Sequence, residues 1–316
     1  MTTAQPSPTA SSPPTIGVVG LGNMGQPMSA RLADAGFRLV VHDLDAARVR
    51  AVVERTGAQA ASSLAQLGTA CDVVITLLPD GAIVRKVLVG ERGDGRGECV
   101  AAGLRAGAVA IDMSSSSPVG TRTLEPLLAA RGIRMLDAPV SGGVRRAGDG
   151  TLAIMVGGDA DLLATMAPVF APLGKTIRAG GIGAGHAIKA LNNYVSAAGL
   201  LAACEAVRAG ARFGLEPSTI VDVLNASTGV NNSTQNKLKP FVLSGTYADG
   251  FGLALMAKDL RTALEVAEVS GTPTALAATV VQVWNDAEQR LGARADPAIN
   301  HTAIDRYLDL LGDAGD

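Results

Sequence analysis

The 316-residue sequence predicts an α/β protein: a mainly parallel sheet domain, then an all-α domain, joined by a long interdomain helix. Three observations predict it. Short β-branched runs alternate with helical segments from Thr15 to about Arg178, the spacing that builds βαβ units and a sheet covered on both faces. Ala184 to Phe213 then runs without a proline in helix-forming composition, enough for a helix of about 45 Å. Beyond Gly214 and Pro217, which stop that helix, the segments look helical and no strand pattern returns. The division implied is a disordered tail at 1–14, a sheet domain at 15–182 and an all-helical domain at 183–316.

The tail is rich in Ser, Thr, Ala and Pro, without the basic start and apolar core of a secretory leader. Strands are expected at 15–19, 38–42, 73–77, 108–111, 133–136, 152–156 and 175–178. Gly90 to Gly97 reads as an exposed loop with turn chemistry. The later helices are expected at 218–226, 233–243, 251–269, 273–291 and 297–311. Hydrophobic residues make up 47% and aromatics only 3%, so the core is built from Ala, Val, Leu and Ile. The alanine-rich helical part is expected to bury a face against a second subunit, in a homodimer or homotetramer.

Composition excludes several partners. A net charge of −2 and a pI near 6.0 supply no basic field for nucleic acid. No apolar run reaches the ~18 residues that span a membrane. Cys71, Cys99 and Cys204 lie far apart without metal-type spacing, which fits free thiols in a reducing cytoplasm. His42, His186 and His301 share no ligand spacing, so no metal site is expected. His186, at the start of the long helix, reads as a solvated histidine; lining a cofactor cleft is its alternative.

The first strand runs into Gly20-Leu21-Gly22-Asn23-Met24-Gly25 and a helix. In this context the glycines are a Rossmann-type dinucleotide signal: a tight turn, a close backbone approach to pyrophosphate, and close helix–strand packing. Free N–H groups at the helix start then hold the phosphate charge. Asp43 closes the second strand, where a carboxylate accepts hydrogen bonds from ribose hydroxyls. The nearest cation, Arg48, falls inside the following helix, so NAD is expected rather than NADP. Asp43 could also cap that helix.

A second cluster follows. Asp137-Ala138-Pro139-Val140-Ser141-Gly142-Gly143 can present a hydroxyl and unhindered N–H groups to a carboxylate, or be a turn that needs glycine. Lys189 sits in the first turns of the long helix, with Asn193 one turn on along the same face. The positive helix end, a nearby nicotinamide cation and partial burial would each lower its pKa from ~10.4, as a general acid/base near neutral pH requires. Lys258 and Asp259 stand together in a segment too apolar for a casual surface pair. The polar stretch Ser227 to Thr234 either reaches toward the pocket or simply links helices, with Ser233 as N-cap.

Taken together, Gly-Leu-Gly-Asn-Met-Gly, Asp-Ala-Pro-Val-Ser-Gly-Gly, Gly-Ala-Gly-x-x-x-Lys and Lys-Asp-Leu, in that order from Ile16 to about Asp309, resemble the β-hydroxyacid dehydrogenase family, which includes 3-hydroxyisobutyrate dehydrogenase and tartronate semialdehyde reductase. The resemblance implies NAD-dependent, reversible oxidation of a small 3-hydroxy acid to its semialdehyde, with Lys189 as general acid/base. Ser141, Gly142 and Gly143 would bind the substrate carboxylate, and Asn193, or its neighbour Asn192, would hold the substrate. Phe251 and Asp259 match substrate-side positions, while Lys258 matches a residue near the nicotinamide. Leu78, Pro79 and Ser115 match further cofactor contacts, although the Ser114 to Ser117 run departs from the commoner family pattern. Tartronate semialdehyde reductase and threonate- or serine-type dehydrogenase are the alternatives. An imine reductase commonly has another residue at the lysine position, and a non-catalytic scaffold would be expected to lose it.

Overall fold

The computed structural model describes residues 13–312, so the tail expected at 1–14 lies, apart from Pro13 and Pro14, outside the described residues. The chain alternates strand and helix as β1 (Ile16–Val19), α1 (Gly25–Asp34), β2 (Leu39–His42), α2 (Ala46–Thr56), β3 (Gln59–Ala60), α3 (Leu64–Ala70), β4 (Val73–Thr76), α4 (Gly81–Val89), β5 (Val109–Asp112), α5 (Pro118–Ala129) and β6 (Arg134–Asp137). It continues through β7 (Val140–Ser141), α6 (Gly143–Asp149), β8 (Leu152–Gly157), α7 (Ala160–Phe170) and β9 (Gly174–Gly180). These form a nine-stranded sheet in the order β3-β2-β1-β4-β5-β6-β8-β7, with β9 on β8. The first six strands are parallel, and β8 runs antiparallel to β6 and β7 and parallel to β9. β3 and β7 are absent from the expected strands because two residues show no periodicity.

Side-chain alternation divides the sheet between two cores. Val18, Val41, Ile75 and Ile111 pack on one face with Leu162 and Phe170. Val40, Val74 and Ala110 pack on the other with Leu67, Leu88 and Leu128. Short polar residues end the βα loops as N-caps: Asp45, Ser63, Asp80, Ser117 and Asp159 each accept a backbone N–H of the helix that follows. α1 has no such side chain, so its first N–H groups remain open to a ligand.

The sheet ends at Gly180 and α8 (Ala184–Arg212) begins, 29 residues long. Then come α9 (Pro217–Ala226), α10 (Asn232–Asn236), a π-helical turn Leu238–Leu243, α11 (Leu253–Val269), α12 (Ala275–Arg290) and α13 (Ile304–Gly312). α11 lies along α8, and Leu200, Cys204, Leu260, Trp284 and Ile304 form the core between these helices. Two helical expectations are corrected. The segment 233–243 divides because Pro240 has no N–H to continue the α-helical ladder. Residues 297–300 are not helical: Asn300 bridges to Gly252, and Ile299 accepts from the Leu253 N–H at 2.8 Å.

No helix of the described residues is long and apolar enough to cross a membrane. Cys71, Cys99 and Cys204 are free and buried. Burial pushes the Cys71 and Cys204 thiols up to about 12, so neither is a ready nucleophile.

Candidate active site

The glycine turn after β1 is shaped by contact. Gly20 has φ +97°, and a side chain there would collide with the Leu77 carbonyl; one at Gly25 would collide with the carbonyl of Gly20. Before Gly22 the space is open. Asn23 is exposed, and Met24 leads into α1 without capping it. Asp43 reaches back from the end of β2 and accepts the Leu21 N–H at 2.6 Å and the Asp45 N–H at 2.8 Å. The cap of α2 is Asp45, so the capping role considered for Asp43 is corrected. Arg48 approaches Asp43 only to 3.9 Å. An uncapped helix start, clear space at Gly22 and a carboxylate beyond the next strand fit a dinucleotide.

At the C-terminal ends of β4 and β5 the loops meet the helical part. The Leu78 N–H donates to Ser114 Oγ at 2.9 Å. Lys258, on α11, reaches the carbonyls of Pro79 (3.3 Å) and Ser115. Ser115 Oγ donates to Asp259 Oδ1 at 2.7 Å, and Asn193 Nδ2 donates to Asp259 Oδ2 at 2.6 Å. Lys258 Nζ lies 3.3 Å from the same carboxylate. Asp259 is thus the buried knot joining the sheet loops, α8 and α11. Asn193 faces inward, and Asn192 is exposed.

Lys189 stands on the second turn of α8, 8% exposed, with no hydrogen-bond partner among the described residues. Burial holds its pKa below the usual lysine value of 10.5; Asp259 opposes this, while Lys258 and Lys237 reinforce it. A desolvated amine with a lowered pKa can exist neutral and accept a proton.

His186 corrects the expectation of a solvated histidine: it is 1% exposed. Its Nδ1 lies 2.8 Å from Thr121 Oγ1 and its Nε2 donates to the Ser114 carbonyl at 3.2 Å. Asp137, at the end of β6, accepts the N–H groups of Gly183 (2.7 Å) and His186 (2.9 Å), capping α8 from the sheet. The reason is tertiary, because α5, β5 and β6 close over the helix start. The result is a fixed dock for the helix that carries Lys189.

Ser141 lies on β7, and Gly142 (φ +130°) and Gly143 (φ +72°) turn the chain into α6. The Phe251 ring stands edge-on to His301, with ring centroids 5.6 Å apart. A cavity of about 380 Å³ opens between Gly142 and Arg146 on one side and Asn236, Lys237 and Asp249 on the other. Lys237 Nζ is 2.7 Å from His301 Nε2, and His301 Nδ1 is 2.9 Å from Asp249. Burial lowers the Lys237 pKa and Asp249 raises it. Sequence reasoning missed Lys237, Asp249 and His301. The polar run before Lys237 was the available signal, but the cavity uses Asn236 and Lys237, just beyond it. Within that run Asn231, not Ser233, caps α10.

The dinucleotide cradle and the buried lysine together fit an enzyme that binds a dinucleotide. Residues 15–182 match the family described as the NAD binding domain of 6-phosphogluconate dehydrogenase, and residues 183–304 match that described as NAD-binding of NADP-dependent 3-hydroxyisobutyrate dehydrogenase. The chain is 37% identical over 270 residues to 2-(hydroxymethyl)glutarate dehydrogenase of Eubacterium barkeri, covering 85% of this chain and 87% of that protein. It is 34% identical over 276 residues to NAD-dependent L-serine dehydrogenase of Pseudomonas aeruginosa, covering 85% and 90%. The structure of Mycobacterium tuberculosis 3-hydroxyisobutyrate dehydrogenase with L-serine superposes with a TM-score of 0.82 at 32% identity, covering 93% and 99%. The chain belongs to the β-hydroxyacid dehydrogenase family. It is thus an oxidoreductase acting on CH–OH, and both matching families are described as NAD-binding, which gives NAD as its cofactor.

Proposed function

We propose that this enzyme oxidises the CH₂OH group of a small 3-hydroxy acid reversibly to the semialdehyde, with Lys189 as general acid/base. The observation that carries this reading is the Lys189 amine: buried, unpaired among the described residues, and lowered in pKa beside Asp259 and Lys258. The acids named for the three relatives, 2-(hydroxymethyl)glutarate, serine and 3-hydroxyisobutyrate, all carry CH₂OH on the carbon next to a carboxylate, which supports a primary alcohol.

Bound nicotinamide supplies the hydride acceptor or donor. Neutral Lys189 takes the hydroxyl proton during oxidation, and its ammonium form returns that proton to the developing alkoxide during reduction. Ser141, Gly142 and Gly143 hold the substrate carboxylate, fixing the reacting carbon relative to the amine. Asn193 and Phe251 bound the substrate, and Asp259 keeps Asn193 oriented while tempering the loss of charge on Lys189. Gly20 to Gly25, Asp43, Leu78, Pro79 and Ser115 serve the cofactor, with Lys258 near its nicotinamide end. In this reading residues 15–182 are the cofactor domain and 183–316 the substrate and oligomerisation domain. A homodimer or homotetramer is supported by Ile188, Val195 and Leu276, apolar yet exposed on α8 and α12. Three buried free thiols support a cytoplasmic setting.

The test follows NADH absorbance while the enzyme meets a panel of 3-hydroxy and 2-hydroxy acids. NADH forms from 3-hydroxy acids and not from lactate. Failure of every 3-hydroxy acid refutes the reading.

A further inference from the structure

The cavity beside Gly142 holds more positive charge than a single carboxylate needs. Arg145, Arg146 and Lys237 all line it. Arg145 leans on Asp149 at 3.7 Å, but neither Arg146 nor Lys237 meets a carboxylate within ion-pair distance among the described residues. The acid in the wall, Asp249, is already engaged by His301 at 2.9 Å and by Thr302 Oγ1 at 3.2 Å. The stem of Arg146 lies against Gly142, which sets this residue beside the turn assigned to the substrate carboxylate. Lys237 closes the opposite wall, half-buried, and among the described residues His301 is the one polar contact of its side chain. A partly desolvated ammonium without an acid is costly unless an anion joins it. The depression is open and, at about 380 Å³, has room for more than a three-carbon acid.

We infer that Arg146 and Lys237 bind a second anionic group of the substrate, so that the preferred substrate is a β-hydroxy acid with a further carboxylate or sulfonate on a short arm. The inference rests on the proposed function for the identity of the first carboxylate site. One oxyanion is held at the 141–143 turn. The second enters the cavity between α6 and the π-helical turn, where the planar Arg146 fork and the Lys237 point charge grip it from opposite walls. These residues select the substrate and take no part in proton transfer.

The test is calorimetric titration of the NADH-loaded enzyme with unreactive acids lacking the hydroxyl: glutarate, its monoamide, 4-sulfobutanoate and butyrate. A dianion is expected to bind about tenfold or more tighter than the monoamide, the size of one charge-assisted contact. Arg146→Met and Lys237→Met should each remove most of that preference while NADH affinity, read by fluorescence, shows the variant folded. Whichever of glutarate and 4-sulfobutanoate binds tighter names the oxyanion. Equal affinity for both dianions and the monoamide overturns the inference. So does an equal penalty on butyrate and glutarate in Arg146→Met, which would assign the guanidinium to the shared carboxylate. Turnover of simple 3-hydroxy acids without dianion preference defeats the second site and leaves the role of Lys189 standing. Arg146-dependent dianion binding without any hydroxy-acid turnover does the reverse.

Discussion

His186 and Lys189 are three residues apart on one helix, both buried, and their surroundings treat them in opposite ways. Around His186 the end of the sheet supplies the Ser114 carbonyl and the carboxylates of Asp112 (3.6 Å) and Asp137 (3.8 Å), and α5 supplies Thr121. Around Lys189, among the described residues, there are only the more distant fields of Asp259, Lys258 and Lys237. A buried polar group with its partners in place is locked, and one without them stays costly and available. Burial alone therefore does not separate structural from chemical residues. Satisfaction does: the first turn of α8 anchors the helix, and that rigidity positions the unsatisfied amine on the second.

The largest expected effect comes from removing the amine. Lys189→Ala should lower kcat by about 10²–10⁴, the usual range for a general acid/base. Affinity for NADH in a fluorescence titration should stay near that of the parent, because the cradle lies across the cleft. Turnover within tenfold of the parent would place the proton transfer elsewhere.

His186→Leu should act through stability instead. It strips Thr121 and the two buried aspartates of their shared neighbour, a loss of about 2–4 kcal/mol visible in the urea midpoint. The kcat of the folded fraction should fall far less than in Lys189→Ala. A kcat loss as large as that of Lys189→Ala with an unchanged urea midpoint would erase the contrast between the two turns.

The smallest effect concerns pH. Because burial holds the Lys189 pKa below 10.5, the unfolded chain binds that proton more strongly than the folded one. Stability should then rise with pH from the lowered value toward 10.5, and this rise should vanish in Lys189→Met. Oxidation, which needs the neutral amine, should gain kcat/KM through the same lowered pKa, while reduction should lose it. A parent and a Lys189→Met variant with identical stability–pH profiles would mean that the amine is solvated.

Much of the architecture was legible because its determinants are local. The turn dihedral of Gly20 and the contact of Gly25 with the Gly20 carbonyl act within a few residues, although Gly20 also lies against Leu77, and β1, β2, β4 and β5 are apolar runs bounded by turn residues. The convergence of Lys189, Asn193, Lys258 and Asp259 was legible only through family motifs, since α8 and α11 are joined by no local pattern. His186 was misread for the same reason: its partners come from β5, α5 and β6, far earlier in the chain. The trio Lys237, His301 and Asp249 left only the polar run before Lys237 as a trace, because three separate segments of the chain bring it together.

What the chain order determined by itself was the succession of strands and helices, the glycine turn open to a phosphate and the carboxylate at the end of β2, since hydrophobic period, turn dihedrals and capping act over a few residues. Tertiary packing decided which buried groups found partners and which did not. Solvent exclusion and hydrogen-bond geometry are properties of surfaces meeting, so the low pKa of Lys189, the locked His186 and the surplus of positive charge beside Gly142 exist only once the helical part closes on the sheet.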